Sequence, residues 1–271
     1  MKRFFSPASS TSRHLDLAAP WTVAVLGALT GVVLALILFA PASWLALAVS
    51  TTSSGQVQLA QTRGTIWSGS ARLIFSGGSE SRDSAVLPGR IDWQLRPGWL
   101  ALNIHINAEC CTSSPLQARL VKRWGGAALN VSDGRSQWPA ALLSGLGTPW
   151  NTVQVEGTLQ LATNGFLIEW IEGRVALAGR AELTALDLSS RLSTLKPMGS
   201  YKLTLSGGAA ATLALATIEG GLQLTGNGRW IGSRLRFEGV ASAEPKHEAA
   251  LANLLNIIGR RNGARSIITL G

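Results

Sequence analysis

The chain is poor in the residue types that catalytic and metal sites usually require. Of its 271 residues, two are cysteine, three are histidine and 14% are charged. The histidines, at His14, His105 and His247, lie far apart, and the cysteines are neighbours, so the spacing of a metal site is missing. The sequence also lacks a G-x-S-x-G elbow, an H-E-x-x-H motif and a phosphate-binding loop. We therefore expect no enzymatic activity, no cofactor and no metal.

Charge is absent from one long stretch near the N-terminus. No Asp, Glu, Lys or Arg occurs in residues 17–62, and Trp21–Ala40 is a continuous apolar run. About twenty residues in a helix cross a hydrocarbon core roughly 30 Å thick. Three basic residues and one acidic residue precede the run, and no cation follows until Arg63. This asymmetry predicts a cytoplasmic segment at 1–20, a transmembrane helix at 21–40 and a domain outside the cytoplasm.

A cleaved signal peptide is the alternative interpretation of the same stretch. Small residues at Ala40, Ala42, Ala46 and Ala48 fit a cleavage pattern. The apolar run is longer than that of a usual signal peptide, however, and its basic leader is unusually long, so we favour a retained anchor. The direction of crossing is the same in both cases. Residues 41–55 are then expected to form a membrane-proximal stalk, helical or extended.

Basic residues outnumber acidic ones, at 24 Lys and Arg against 15 Asp and Glu. Such an excess attracts nucleic acid, anionic lipid head groups or an acidic partner, and it is equally compatible with an ordinary soluble surface. No run of more than two basic residues occurs, and export across a membrane argues against nucleic acid. We expect no nucleic-acid partner.

Residues 56–271 show the pattern of antiparallel β structure. Apolar and polar residues alternate with a period of two, as in Ile91, Trp93 and Leu95, and turn residues such as Pro97-Gly98 follow. Asn164-Gly165 is the strongest hairpin signal, and the glycine-rich segment 226–232 resembles a dinucleotide fingerprint with its third glycine displaced. We interpret both as hairpin turns.

One segment departs from this pattern, at residues 246–261. Its apolar residues recur at i, i+3, i+4 and i+7, namely Leu251, Leu254, Leu255 and Ile258. The spacing predicts a helix, ended by Gly263 and followed by a last strand. We expect this helix to cover a face or an open end of the sheet, with docking to a partner as the alternative.

The predicted fold class is all-β. We expect a single transmembrane helix followed by a curved antiparallel sheet, sandwich-like or half-barrel, with a C-terminal helix. Residues 213–216, Leu-Ala-Leu-Ala, are apolar on both strand faces. They would be buried inside a sandwich or would line an apolar groove that binds lipid.

The only cysteines are the adjacent Cys110 and Cys111. An oxidising compartment favours pairing, yet neighbouring cysteines close a strained ring. A vicinal disulfide that stiffens a turn and a pair of free or transiently paired thiols both remain open.

Four sequence blocks resemble a known family. Gly64–Gly69, with the sequence Gly-Thr-Ile-Trp-Ser-Gly, follows the single anchor as in protein N of the type II secretion system. Residues 192–201, 226–237 and 249–271 agree with the same family, in the same order and spacing. The resemblance covers essentially the whole chain.

The resemblance implies a non-enzymatic, accessory protein of the Gram-negative inner membrane, with no assigned catalytic residues. Its partners would be other secretion components, namely the inner-membrane platform and, as a further candidate, the secretin, together with inner-membrane lipid. The family's periplasmic domain is related at a distance to AsmA-type proteins, whose curved sheets can line an apolar groove; a lipid-handling module is thus the alternative function. Candidate interaction or structural anchors are Trp67, Trp93, Trp230, Leu254 and Ile258.

Overall fold

The structure is a computed structural model and describes residues 21–78, 81–232 and 234–271. The predicted cytoplasmic segment 1–20, with its basic residues, lies outside the described residues. The chain divides into two compact units, residues 1–39 and 40–271.

The first unit contains helix α1, Trp21–Leu38. It has a mean hydropathy of 2.4 and no buried residue, and it is the one described helix that is long and apolar enough to cross a membrane. The helix is apolar on all sides, which suits a lipid environment better than water. It ends two residues before the predicted boundary at Ala40.

The second unit begins with helix α2, Ala42–Thr52, and continues as β structure. The strands are β1 Val57–Gly64, β2 Ser68–Ser76, β3 Ser84–Val86, β4 Ile91–Gly98, β5 Ala101–Ala108, β6 Leu116–Arg123, β7 Gly126–Val131, β8 Gly134–Pro139, β9 Val155–Ile171, β10 Arg174–Ser190, β11 Gly199–Ser206, β12 Thr212–Gly220, β13 Leu222–Ile231, β14 Arg234–Ala243, β15 Arg260–Asn262 and β16 Arg265–Leu270. The helical segments between them are the 3-10 helix Ala140–Leu146, α3 Trp150–Val153, a 3-10 turn Pro245–His247 and α4 Glu248–Ile258.

All these strands belong to one antiparallel sheet. Within the described residues it has sixteen strands in the order β1-β2-β4-β5-β6-β7-β9-β10-β11-β12-β13-β14-β16-β15, with β3 beside β2 and β8 beside β9. The ends of this path, β1 and β15, do not pair with each other, so the sheet is open. The prediction of an antiparallel β domain with a C-terminal helix is therefore confirmed, in its open rather than its sandwich form.

Three helices cover one face of the sheet. Helix α2 packs near β1, β2 and β4 through Ala42, beside the buried Ala71 and Trp93. The 3-10 helix contributes Leu142 to a second cluster with Leu87. Helix α4 contributes Leu251, Leu254 and Leu255 to the largest cluster, which includes residues of β9, β11, β13 and β14. The apolar side of an open sheet is thus partly removed from water without a second sheet.

The prediction of a hairpin turn at Asn164-Gly165 is wrong. Strand β9 runs straight through this point, because its early residues pair with β8 and its later residues pair with β7. Gly165 has a φ of +54° and lies in a bulge opposite Gly179, and its N–H donates to Asp133 Oδ1 at 2.6 Å. The hairpin turn comes later, at Glu172-Gly173, where both residues have positive φ.

The turn expected within 226–232 is also misplaced. Gly226 and Gly228 lie inside β13, and only Gly232, with a φ of +63°, belongs to the turn. A Cβ on Gly226 would come within 2.4 Å of Phe237 Cζ, so the buried Phe237 ring occupies the space that side chains would need. The glycines are explained by this cross-strand packing rather than by a turn.

Two other boundaries differ from the sequence prediction. Helix α4 ends at Ile258 rather than at 261, because Arg260–Asn262 forms β15 and pairs with β16. Gly263, expected to end the helix, has a φ of +61° and lies in the turn between these strands. Likewise Pro97-Gly98 remains within β4, and the turn lies at Trp99-Leu100.

Candidate interaction surfaces

The turn between β1 and β2 joins three parts of the second unit. The Ile66 N–H donates to the Ala40 carbonyl at 2.9 Å, and Pro41 forms a bridge with Thr65. On the other side, the Leu95 N–H donates to the Trp67 carbonyl at 2.6 Å. The turn therefore holds Ala40 and Pro41, at the start of the second unit, next to β1 and β2 and is itself bonded to β4.

The two glycines of this turn have separate steric reasons. Gly64 has a φ of +86°, and a Cβ there would lie 2.4 Å from the Ser68 carbonyl oxygen. A Cβ on Gly69 would lie 2.6 Å from Trp93 Cζ2. The Trp93 ring is buried over Gly69, and its Nε1–H donates to the Ile66 carbonyl at 3.1 Å. Trp67 is half-buried in the same turn. The block Gly64–Gly69 thus has a structural reason for its glycines.

The candidate anchors of helix α4 point to the sheet. Leu254 is 2% exposed and Ile258 is half-buried against the same cluster. The Ser193 hydroxyl donates to the Ala250 carbonyl at 3.1 Å, and the Ser266 hydroxyl donates to the Leu255 carbonyl. These contacts tie the helix to the connection between β10 and β11 and to β16, so both residues pack inside the unit.

Tyr201 lies in the centre of this cluster. It is buried, and its hydroxyl donates to the Leu222 carbonyl at 3.1 Å. Burial raises the pKa of Tyr201 above its usual value because the phenolate would be poorly solvated there. The hydroxyl is held in its neutral, donating form, which suits a structural role.

Trp230 lies at the other end of the strands. It is half-buried near the end of β13, and its backbone N–H donates to the Ala211 carbonyl at 3.1 Å. It is therefore brought together with neither Trp93 nor Leu254. The candidate anchors form separate structural sites rather than one surface.

The other face of the sheet carries no helix in the described part of the chain. Register places polar residues of neighbouring strands side by side over parts of it. Examples are Gln94 opposite His105, Gln117 opposite His105, and Asn227 opposite Glu238. By contrast, the paired Val240 and Ile267 of β14 and β16 make another part apolar. Strand β12, which contains the apolar residues 213–216, also has one side towards each face. Leu213 and Leu215 are half-buried towards the covered face, while Ala214 and Ala216 are exposed.

Two adjoining clefts lie over β8, β9 and β10 on this uncovered face. Their volumes are about 750 and 580 Å³, and they share Arg135, Ala162 and Glu182. The Glu182 carboxylate lies 3.5 Å from Lys202 Nζ and 3.8 Å from Arg180 Nη1. Because their linings are mainly polar, these clefts differ from the apolar groove expected for a lipid-handling module. Sequence reasoning missed this surface, since its residues are spread over three strands.

The cysteine pair borders the larger cleft. The Sγ atoms of Cys110 and Cys111 are bonded at 2.04 Å. Cys110 is exposed, whereas Cys111 is buried beside Ala108 and Leu142. The Cys111 carbonyl accepts the Gln137 N–H at 2.8 Å, which ties the turn after β5 to β8. The pair therefore lies where the covered core and the uncovered cleft meet.

No cluster of three His, Cys, Asp or Glu residues suited to a metal occurs in the described ranges. Of the histidines in those ranges, His105 lies on β5 and His247 precedes α4; His14 lies outside the described residues.

Comparison with known proteins identifies the family. A family model described as type II secretion system protein N matches residues 55–268. No curated protein and no solved structure matches the chain. The match includes helix α4 and every strand up to the middle of β16, and therefore both the Gly64–Gly69 turn and Phe237. The chain belongs to the family of type II secretion system protein N, and its role is in type II secretion.

Proposed function

We propose that the protein is an accessory, non-enzymatic subunit of the type II secretion system, whose uncovered polar face binds other components of that system. The observation that carries the proposal is the contrast between the faces. The helices of the second unit occupy one face, and within the described residues the other face is open across many strands, with polar residues in register over parts of it. Antiparallel sheets often leave one face to solvent, and with sixteen described strands this sheet is wider than the usual limit of about ten.

The clefts provide the most specific part of this face. Arg135, Gln137 and Gln160 offer donors and acceptors, and Glu182 adds a carboxylate. Charged hydrogen bonds of this kind fix the orientation of a partner more than they supply affinity. A specific interface buries about 800 Å² on each partner, so the remaining strands would supply the additional area.

Helix α1, as a membrane anchor, would determine the compartment in which the uncovered face binds its partners. We propose that α1 crosses the inner membrane, with residues 1–20 in the cytoplasm and residues 40–271 in the periplasm. The apolar length of α1 and the basic residues before it support this orientation. The inner-membrane platform is then the nearest partner, and the secretin is a further candidate.

Photocrosslinking in growing cells tests the binding face. A photoreactive residue would replace Gln137 or Gln160 in the cleft, and Asn253, exposed on helix α4, is the matched control position. We expect adducts with secretion components from the cleft positions and not from Asn253. Failure to obtain such adducts from any position on the uncovered face would contradict the proposal.

Topology requires a separate measurement. An alkaline phosphatase fused after Gly271 should be active, because the enzyme folds only outside the cytoplasm, and the protein should stay in the pellet after carbonate extraction. An inactive fusion would reverse the orientation, and release from the pellet would show that the anchor had been cleaved.

We also propose that Cys110 and Cys111 are oxidised to a vicinal disulfide in the periplasm. Exported proteins meet an oxidising compartment, and the two sulfur atoms are already bonded in this fold. Cells would be lysed directly into denaturant that contains an alkylating reagent, and the mass of the protein should show that neither cysteine is labelled until a reductant is added. Labelling without a reductant would show free thiols.

A further inference from the structure

Three neighbouring hairpin turns present aromatic side chains to solvent. Trp99, in the turn between β4 and β5, is 94% exposed, and Trp124, between β6 and β7, is fully exposed. Trp170, one residue before the end of β9, is 39% exposed. Tryptophan is highly buried on average, so two almost completely exposed rings in adjacent turns are unusual for a surface that meets only water.

Hydrogen bonds connect these turns to one another. The Lys122 N–H donates to the Leu100 carbonyl at 2.9 Å, which joins the first turn to the second. The Glu172 N–H donates to the Gly125 carbonyl at 3.2 Å, which joins the second turn to the third. The three turns therefore lie side by side at the same end of the strands, and we call their exposed apolar residues the turn patch: Trp99, Leu100, Trp124, Trp170 and Ile171.

The surroundings of the turn patch are basic. Its exposed cations are Arg96, Lys122, Arg123 and Arg174. Of the two nearby carboxylates, that of Glu169 lies 2.9 Å from Arg123 Nη1, and that of Glu172 lies in the third turn. Tryptophan beside Lys and Arg is the composition found where proteins meet the head-group layer of an anionic membrane.

The turn patch lies at the end of the strands where the chain enters the second unit. Ala40 is bonded to Ile66 in the turn between β1 and β2, and Trp67 of that turn is bonded to β4 at Leu95. Strand β4 then runs on for a few residues to Trp99. Along the chain, only Phe39 separates Ala40 from the end of helix α1 at Leu38.

The opposite end of the strands also has a partly exposed tryptophan. Trp150 lies there, in α3 before the start of β9, and is 40% exposed. The side-chain amide of the next residue, Asn151, donates to Asp83 Oδ2 at 2.7 Å, in the segment that follows the end of β2. Trp150 is therefore an exposed tryptophan a full strand length from the turn patch, and it serves as a control.

We propose that the turn patch lies in the head-group layer of the membrane that helix α1 crosses, and that it binds anionic phospholipid. This inference rests on the anchor proposed above. The tryptophan rings would occupy the interface between head groups and acyl chains, and the basic residues would contact phosphates. The patch would then give the domain a second attachment and restrict its rotation about the tether.

Photocrosslinking to lipid tests the inference on the full chain in its own membrane. A photoreactive residue replaces Trp99, Trp124 or Trp150 in turn, and mass spectrometry identifies the adducts. Carbonate extraction of the same membranes reports on the anchor. We expect phospholipid adducts from positions 99 and 124, and none from position 150.

The outcomes separate the two proposals. If the protein stays in the pellet but positions 99 and 124 give no lipid adducts, the inference is overturned and the anchor stands. Adducts at these positions with a secretion subunit or with a second copy alone would likewise overturn it, by showing a protein interface. Release from the pellet would overturn the anchor and this inference together.

Fluorescence quenching offers an independent measurement. The full chain is placed in nanodiscs that contain anionic phospholipid with brominated acyl chains, which quench nearby tryptophan. The double variant Trp99→Phe with Trp124→Phe should lose part of the quenched emission, while Trp150→Phe should retain all of it. Equal quenched emission in the two variants would contradict the proposal.

Discussion

The two faces of the sheet are built from the same strands but differ in what they contact. On the covered face, the leucines of α4 and the ring of Tyr201 are buried. On the uncovered face, alternate residues of the same strands are exposed, as Ala214 and Ala216 show. Burial of one apolar face is enough to stabilise an open sheet, provided that helices cover it. The helices thus bury apolar residues of one face, while alternate residues of the other face stay exposed in the described part of the chain.

Substitution in the core of the covered face should have the largest effect. Leu254→Ala removes a side chain that is 2% exposed and leaves a cavity beneath α4. We expect a loss of about 2–5 kcal/mol in the free energy of unfolding. Urea unfolding in mild detergent, followed by circular dichroism, would measure it. The neighbouring variant Asn253→Ala should cost less than about 0.5 kcal/mol, because Asn253 is exposed. Equal losses would show that α4 does not cover the sheet as described.

A smaller loss is expected at the other end of the covered face. In Gly69→Ala the new Cβ would lie 2.6 Å from Trp93 Cζ2 and 2.5 Å from the Arg63 carbonyl oxygen. Relief of this overlap requires backbone movement, at a cost of about 1–3 kcal/mol. Gly98→Ala is the control, because the nearest atom to its Cβ would be 3.6 Å away. Similar melting temperatures for the two variants would contradict the close packing of Trp93 on Gly69.

Tyr201→Phe should cost still less, about 1 kcal/mol, through the lost hydrogen bond to Leu222. The substitution should also change how the free energy of unfolding depends on pH. The pKa of Tyr201 is raised in the folded protein, so above its unfolded pKa of about 10 the unfolded state binds fewer protons than the folded one. Wild-type stability should therefore fall as pH rises past that value, by up to about 1.4 kcal/mol per unit. The variant should lack this part of the decline, and parallel curves would show that Tyr201 is not buried.

Much of the covered face could be predicted from the sequence, because burial imposes a period. The alternation of Ile91 and Trp93 with exposed Asp92 and Gln94 was readable, and so was the helical repeat of Leu251, Leu254 and Leu255. The strand boundaries were less readable wherever glycine had a second role. At Gly165 it permits a bulge, and at Gly226 it makes room for the Phe237 ring.

The uncovered face could not be predicted in the same way. Its clefts combine residues such as Arg135, Gln160 and Glu182, which adjoin only through the register of β8, β9 and β10. That register depends on the bulge between β9 and β10, and on the pairing of β9 first with β8 and then with β7. Local patterns specify which residues point away from the core, but not which of them meet.

Charge reversal on the uncovered face should have the smallest effect on stability. Arg135 is exposed beside the cleft, so Arg135→Glu should change the free energy of unfolding by less than about 0.5 kcal/mol. The same variant should reduce the yield of adducts between position 137 and secretion components, because a cation that helps to orient the partner becomes an anion. Arg82→Glu is a matched control, since Arg82 is exposed in the segment between β2 and β3 and lines neither cleft. If both variants kept the full adduct yield, the cleft would not contribute to binding. If Arg135→Glu instead destabilised the protein by several kcal/mol, the two faces would not be as different as their contacts indicate.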